Sequence, residues 1–314
     1  MRCTSFTKKR RQRERPNNNM KDMNTIAALD IGTNAVRFLI CNIEEYGDTK
    51  KFRKVAFLRA PIRLGEDVFS EGYVSERRIG LLCEAMQGFA HLMKAFCVKD
   101  YRACATSAMR EAENGDEVIS RVKKASGIKM EIIPGTEEAQ MIFTAGLPSG
   151  GKAWGDALHV DVGGGSTEVV VYADGEIVDS RSFPLGTVRY LKDAVKGKDE
   201  DYFKSELKKI GEKYRGDRIV GSGGNINKAQ KLLNKRAGEP LSFVELKMLH
   251  DTLKGLTFDD RMKYFKLNPY RADVIIPALK IFLTVSKLCH SPMIFVPQVG
   301  LVDGIAATLC AKQK

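Results

Sequence analysis

Two stretches far apart in the chain share one local plan, and that plan limits the fold more than any other feature. The apolar run Thr25–Leu29 meets a turn at Asp30-Ile31-Gly32-Thr33-Asn34 and resumes as Val36–Ile43. The run Ala157–Val160 meets Asp161-Val162-Gly163-Gly164-Gly165-Ser166-Thr167-Glu168 and resumes as Val169–Tyr172. Short buried-type strands joined by a tight Gly/Asn turn predict a hairpin in each case. Asp30 aligns with Asp161, Gly32 with Gly163, and Phe38-Leu39-Ile40 with Val169-Val170-Val171. The repeat is too long for a solenoid. It predicts two related α/β domains, each opening on a strand, a glycine turn and a strand. Pro148-Ser149-Gly150-Gly151 is the expected boundary.

Helical and strand periodicities fill the rest. Phe52–Ala60 predicts a third strand and Asp174-Gly175 a further hairpin turn leading into Glu176–Phe183. Ser75–Phe96 predicts a helix capped by Ser75, with Ile79, Leu82, Met86, Phe89 and Met93 on one face. Further helices are expected over 115–124, 200–214, 243–254 and 272–288, and strands over 101–105, 129–133 and 218–220.

A net charge of +12 is unevenly spread. Residues 1–23 hold eight Lys or Arg against Glu14 and Asp22, so half the excess lies in a polar tail that cannot build a core. The tail reads as a disordered extension, or as sequence upstream of a start at Met20 or Met23, more than as a nucleic-acid arm. The remaining body, still about +6, suits an anionic substrate. Seven scattered cysteines without a C-x-x-C pair predict free thiols in a reducing compartment. No signal-peptide core and no run of eighteen apolar residues is present, so cytoplasm is expected, with no membrane partner.

Three glycine loops carry the candidate chemistry. At the first, Gly32, Thr33 and Asn34 tolerate backbone that lets N–H groups converge on an anion, and Arg37 adds a charged fork. Taken alone, that segment reads more readily as a plain structural turn, since many hairpins carry D-x-G. At the second, Gly163, Gly164 and Gly165 remove every Cβ so that backbone can approach a phosphate, and Ser166 and Thr167 add hydroxyls. Asp161 and Glu168 bracket the loop and suit a hydrated Mg²⁺ shared with substrate phosphates, with Asp30 as a further metal-facing carboxylate. The third loop, Gly221-Ser222-Gly223-Gly224-Asn225, joins a strand to a helix start and is an anion site without being a P-loop or a dinucleotide fingerprint; Gly223 is its central residue.

Paired hairpins of this kind resemble the actin-like ATPase superfamily, whose two ribonuclease H-like domains flank a phosphate-binding cleft. Within it, Ala105-Thr106-Ser107-Ala108-Met109-Arg110-Glu111-Ala112, Ile133-Pro134-Gly135-Thr136-Glu137-Glu138-Ala139, the Asp161–Glu168 run and Arg271-Ala272-Asp273-Val274-Ile275 are similar, in order, to the exopolyphosphatase and guanosine-pentaphosphate phosphatase family. The resemblance spans roughly residues 24–290 and implies a short two-domain form: a first domain over 24–147, a second over 148–301, and a C-terminal helix over 302–312 joining the first. It implies an Mg²⁺-assisted hydrolase that releases terminal phosphate from inorganic polyphosphate or guanosine pentaphosphate. Glu138 matches the family's catalytic base and Asp161 and Glu168 its metal- and water-organising carboxylates. Gly32, Thr33, Asn34 and the Gly163–Thr167 loop match its phosphate cradles, and Arg110 an arginine facing the phosphate chain. A dimer is common in that family.

Val296-Pro297-Gln298-Val299-Gly300-Leu301-Val302-Asp303-Gly304 departs from the family pattern, so no substrate contact is expected from that loop. His250-Asp251 reads as structural, and the other histidines lack metal-ligand spacing. The competing readings are a phosphotransferase of the same superfamily, binding nucleotide at the third loop, and a non-catalytic nucleotide- or alarmone-binding regulator.

Overall fold

The computed structural model describes residues 24–46, 49–146, 156–174, 176–214, 218–236 and 238–313. The basic tail, Gly175 and the Pro148–Gly151 boundary lie outside them. The first sheet holds β1 (Thr25–Ile31), β2 (Val36–Tyr46), β3 (Thr49–Ala60), β4 (Asp100–Ala105) and β5 (Glu131–Ile132), in the order β3-β2-β1-β4-β5. The second holds β6 (Ala157–Val162), β7 (Thr167–Ala173), β8 (Glu176–Phe183), β9 (Ile219–Ser222), β10 (Leu241–Ser242) and β11 (Met293–Phe295), in the order β10-β11-β9-β6-β7-β8. Without its edge strand β10, the second sheet repeats the first. Three strands run antiparallel, and two more continue parallel to the central one. The α/β class with two related sheets, expected from the paired glycine turns, is the observed fold.

Burial on both faces explains the near-continuous apolar runs of β1 and β6. In β1, Ala27, Leu29 and Ile31 face a core that includes Ile79, Leu82 and Met86 of the helix Glu76–Ala95. Ile26 and Ala28 face the opposite core, built on Leu301, Val302 and Ile305 of the last helix, Leu301–Lys312. The chain end thus returns to the first sheet. The helix Gly135–Gly146 sits between the two sheets: Met141 and Ile142 join the core of the last helix, while Ala139 and Phe143 pack on Val170 and Tyr172 of β7. Gly304 makes this possible, since a Cβ there would lie 2.5 Å from the Met141 carbonyl oxygen.

The helix Glu76–Ala95 carries the expected Ser75 cap, whose side chain accepts from the Arg78 amide. The helix expected over 272–288 is instead split into Pro269–Ala272 and Ile275–Leu288. Pro277 has no N–H and would clash with the carbonyl four residues back, so the helix restarts with Pro277 in its first turn. The helices Leu64–Glu71 and Phe258–Phe265, each of 8 residues, and the strands β10 and β11, of 2 and 3 residues, are too short for their pattern to be read from sequence.

Candidate active site

The two hairpin turns close identically, the Gly32 amide donating to the Ala35 carbonyl at 3.2 Å and the Gly163 amide to the Ser166 carbonyl at 3.0 Å. They also face each other. A Cβ on Gly164 would lie 2.8 Å from Thr33 Cβ and 3.3 Å from the Asn34 amide; one on Gly165 would lie 2.7 Å from the Phe69 ring. Gly32, Gly164 and Gly165 do not use positive φ, which among the described glycines belongs to Gly72, Gly127, Gly223 and Gly238. The left-handed backbone expected at the first turn is thus not used by Gly32, and at the second turn Gly164 and Gly165, expected to make room for a phosphate, are kept free of a Cβ by the close approach of Thr33, Phe69 and Ser107. Gly223, at φ 108°, does need glycine conformationally, and it lies against the Val162 carbonyl at the start of the helix Gly224–Leu232.

Between the lobes lies a cleft of about 640 Å³. Asp30, Gly32, Thr33, Asn34 and Arg37 line it from the first hairpin, Asp161 and Gly163–Ser166 from the second, and Gly223 from the third loop. Glu138 reaches it from the helix Gly135–Gly146. Three expected residues stand behind this lining. Thr167 donates its hydroxyl to the Leu185 carbonyl at 2.5 Å, so that hydroxyl is engaged within its own lobe. Arg110 donates to the Ile133 carbonyl at 2.8 Å and to Glu138 Oε2 at 3.1 Å, and so backs the glutamate. Glu168 is buried behind the turn, its Oε1 accepting from Ser166 Oγ at 2.5 Å and Ser182 Oγ at 3.0 Å.

Strand register places the carboxylates. Asp30 pairs across the ladder with Arg37, and Asp161 with Glu168, the equivalent step in the second hairpin. Asp30 is ion-paired to Arg37, and Asp161 accepts from Ser222 Oγ. Burial raises the pKa of Asp30 and of Asp161, against the opposing pull of Arg37 on both and of the Ser222 hydroxyl on Asp161. Glu138 is only 8% exposed. Its pKa rises well above the usual carboxylate value, first from burial and then from Glu168, while Arg110 opposes the shift. Burial and the neighbouring Asp161 push Glu168 up to about 7.

Among the described residues, no three His, Cys, Asp or Glu side chains gather closely enough to hold a metal unaided. Mg²⁺ commonly needs only one or two carboxylates with substrate phosphates completing its shell. Glu168 Oε2 is buried with no hydrogen-bond partner, beside Asp161, which leaves an unsatisfied anionic oxygen where a cation would fit.

The cleft's positive face was largely missed in the sequence. Arg59 stands directly across β2–β3 from Arg37, and Arg271 reaches the same region from the second lobe. Burial lowers both the Arg59 and Arg271 pKa, Arg271 to about 10, and Arg37 lowers each further; Arg59 also lowers Arg271. Lys228 and Lys231, one turn apart on the helix Gly224–Leu232, line the same cleft with Lys266. Among the described residues, Arg59, Arg271, Lys228, Lys231 and Lys266 form no ion pair. The i, i+3 spacing of Lys228 and Lys231 just after the third glycine loop was the signal available in the sequence. The Gln298–Asp303 segment, from which no substrate contact was expected, also lines the cleft, because the last helix folds back onto the first sheet.

A sequence profile of the Ppx/GppA phosphatase family matches residues 42–312. The chain belongs to this family. Exopolyphosphatase 1 of Mycobacterium tuberculosis is 32% identical over 168 residues, covering 54% of this chain and 48% of the relative. A guanosine-5'-triphosphate,3'-diphosphate pyrophosphatase of Photobacterium profundum is 27% identical over 219 residues, covering 66% of this chain and 43% of that one. The chain thus spans about half the length of the curated relatives it matches. The crystal structure of the Aquifex aeolicus Ppx/GppA family member superposes with a TM-score of 0.75 at 28% identity, covering 93% of this chain and 100% of that one. The fold is shared with an exopolyphosphatase from Cytophaga hutchinsonii, at a TM-score of 0.81 and 24% identity, over 93% and 99% of the two chains.

Proposed function

We propose that this family member removes the terminal phosphoryl group from a phosphoanhydride chain, inorganic polyphosphate or guanosine pentaphosphate, by direct attack of water. The observation that carries this reading is Glu138: a buried carboxylate with a raised pKa, lining a cleft where two glycine hairpins meet. The Gly32–Asn34 and Gly163–Ser166 turns hold the terminal phosphate, with Gly223 at the third loop, and Arg37, Arg59 and Arg271 balance the charge of the following ones. Glu138 accepts a hydrogen bond from the water and takes its proton as oxygen bonds to the terminal phosphorus. The bridging P–O bond breaks, and its electron pair leaves with the penultimate phosphate. Arg110 holds Glu138 in place from behind. An Mg²⁺ held by Asp161 and Glu168, with Asp30 near them, would neutralise developing charge on the phosphate oxygens. A reducing, cytoplasmic setting accords with the six free cysteines of the described residues, among which no helix is long and apolar enough to cross a membrane. A homodimer is the proposed assembly, on family resemblance.

The test is phosphate release by purified protein from polyphosphate, guanosine pentaphosphate and ATP, with Mg²⁺ or with chelator. We expect release from at least one of the first two, lost with chelator and reduced roughly 10²–10⁴-fold in Glu138→Gln while substrate binding persists. Unaltered turnover in that variant would overturn the reading. Label passing from ATP to an acceptor would favour a phosphotransferase instead.

A further inference from the structure

Phe57 is a large aromatic side chain left 54% exposed, and among the described residues it is the one aromatic group that lines the cleft. Its place follows from register. Arg59 faces Arg37 and Phe57 faces Leu39, so Arg59 and Phe57 point to the same side of β3. The register shift between Ile40 and Cys41 then sets Lys54, three residues before Phe57, opposite Cys41. The irregularity thereby brings Lys54 onto that same side, where a regular strand would have turned it away. Arg59, Phe57 and Lys54 all line the cleft and form a row leading away from the hairpin turns. Lys54 is ion-paired at 2.5 Å to Asp303 in the first turn of the last helix, so the Gln298–Val302 segment borders the far end of the row.

The order of chemistry along this wall is specific. Nearest the turns come guanidinium groups, suited to phosphates. One residue pair further, about 7 Å along a strand, comes an exposed flat ring. An inorganic phosphate chain has nothing to place on a phenyl face and would be served by another cation there. A nucleoside polyphosphate has an aromatic base to place on it.

We infer that Phe57 is a stacking shelf for the base of a nucleoside polyphosphate whose phosphate chain runs past Arg59 to the hairpin turns. The inference rests on the hydrolase reading above, and it makes Phe57 a residue that distinguishes nucleotide from inorganic substrate. Base–aromatic stacking is sequence-tolerant, since every base has a π face, so the shelf selects for a base rather than for one particular base.

The experiment compares steady-state phosphate release and equilibrium binding of guanosine pentaphosphate and of long inorganic polyphosphate in wild type, Phe57→Ala and Phe57→Trp. For the nucleotide, Phe57→Ala should raise KM and Kd roughly 5- to 150-fold with kcat little changed. The constants for polyphosphate should stay within about twofold. Phe57→Trp should restore nucleotide affinity, because it keeps the ring. An equal loss for both substrates, or no loss for the nucleotide, overturns the shelf. If no substrate is turned over, the hydrolase reading fails, while the binding arm still decides whether Phe57 holds a base.

Discussion

Glu138 draws its reactivity from surroundings that the residue alone does not specify. A glutamate in the first turn of an exposed helix would gain only about 0.3–1 kcal/mol from the helix dipole and would stay an ordinary acid. Here burial comes first and the Glu168 charge second, and both favour the protonated form. A base works deprotonated, so activity present at high pH is lost as pH falls through the raised value. We expect the acid limb of kcat/KM to lie above the usual glutamate range, measured at constant ionic strength. Arg110 lowers the Glu138 pKa, so Arg110→Ala should carry that limb to still higher pH. A limb at the ordinary carboxylate value in wild type would contradict the assignment. The glutamate pair at 137–138 was legible through its motif. The two charged neighbours of Glu138, Arg110 behind it and Glu168 beside it, come from segments about thirty residues away on either side, which the motif does not announce.

The glycine hairpins are elements whose presence the sequence announced and whose packing it did not. The triple glycine at 163–165 was read as room for a phosphate; two of its members prove to be room for the other lobe. Gly186 packs on the same loop from within its own lobe: its backbone is extended, yet a Cβ there would overlap the Gly164–Gly165 backbone. These positions give a split that can be measured. Gly186→Ala drives a methyl group into backbone that cannot rotate away, and should cost about 1–3 kcal/mol in thermal unfolding. Gly164→Ala presses on Thr33 across the cleft, and should lower kcat/KM more than it lowers Tm, because it parts the hairpins while leaving each lobe's core intact. Equal effects of the two variants on Tm and on phosphate release would refute this division. The sequence held no sign of Gly186, since its constraint comes from a turn some twenty residues earlier.

Taken whole, the molecule holds an excess of cations around one concavity. Arg37 and Arg59 stand directly opposite each other on β2 and β3; Arg37 has Asp30 as its partner, while Arg59 forms no ion pair among the described residues and feels the Arg37 charge. A polyanion relieves this repulsion, and added salt screens the attraction. KM for a phosphate chain should therefore climb with ionic strength. Lys228→Ala with Lys231→Ala should raise KM roughly fivefold at low salt and flatten its salt dependence. A wild-type KM insensitive to salt would show that this charge does not steer the substrate. The contiguous residues themselves determined the strands, the turns and the doubled α/β plan, because hydrophobic period and turn chemistry act over a few neighbours. Only the tertiary structure decided which side chains share the cleft. The β2–β3 register set Arg59 against Arg37, and its shift turned Lys54 toward the cleft beside Phe57. The return of the last helix brought in Gln298–Asp303, and the facing lobes buried Glu138. Those placements arise from pairings between distant segments, whose geometry no local stretch of sequence encodes.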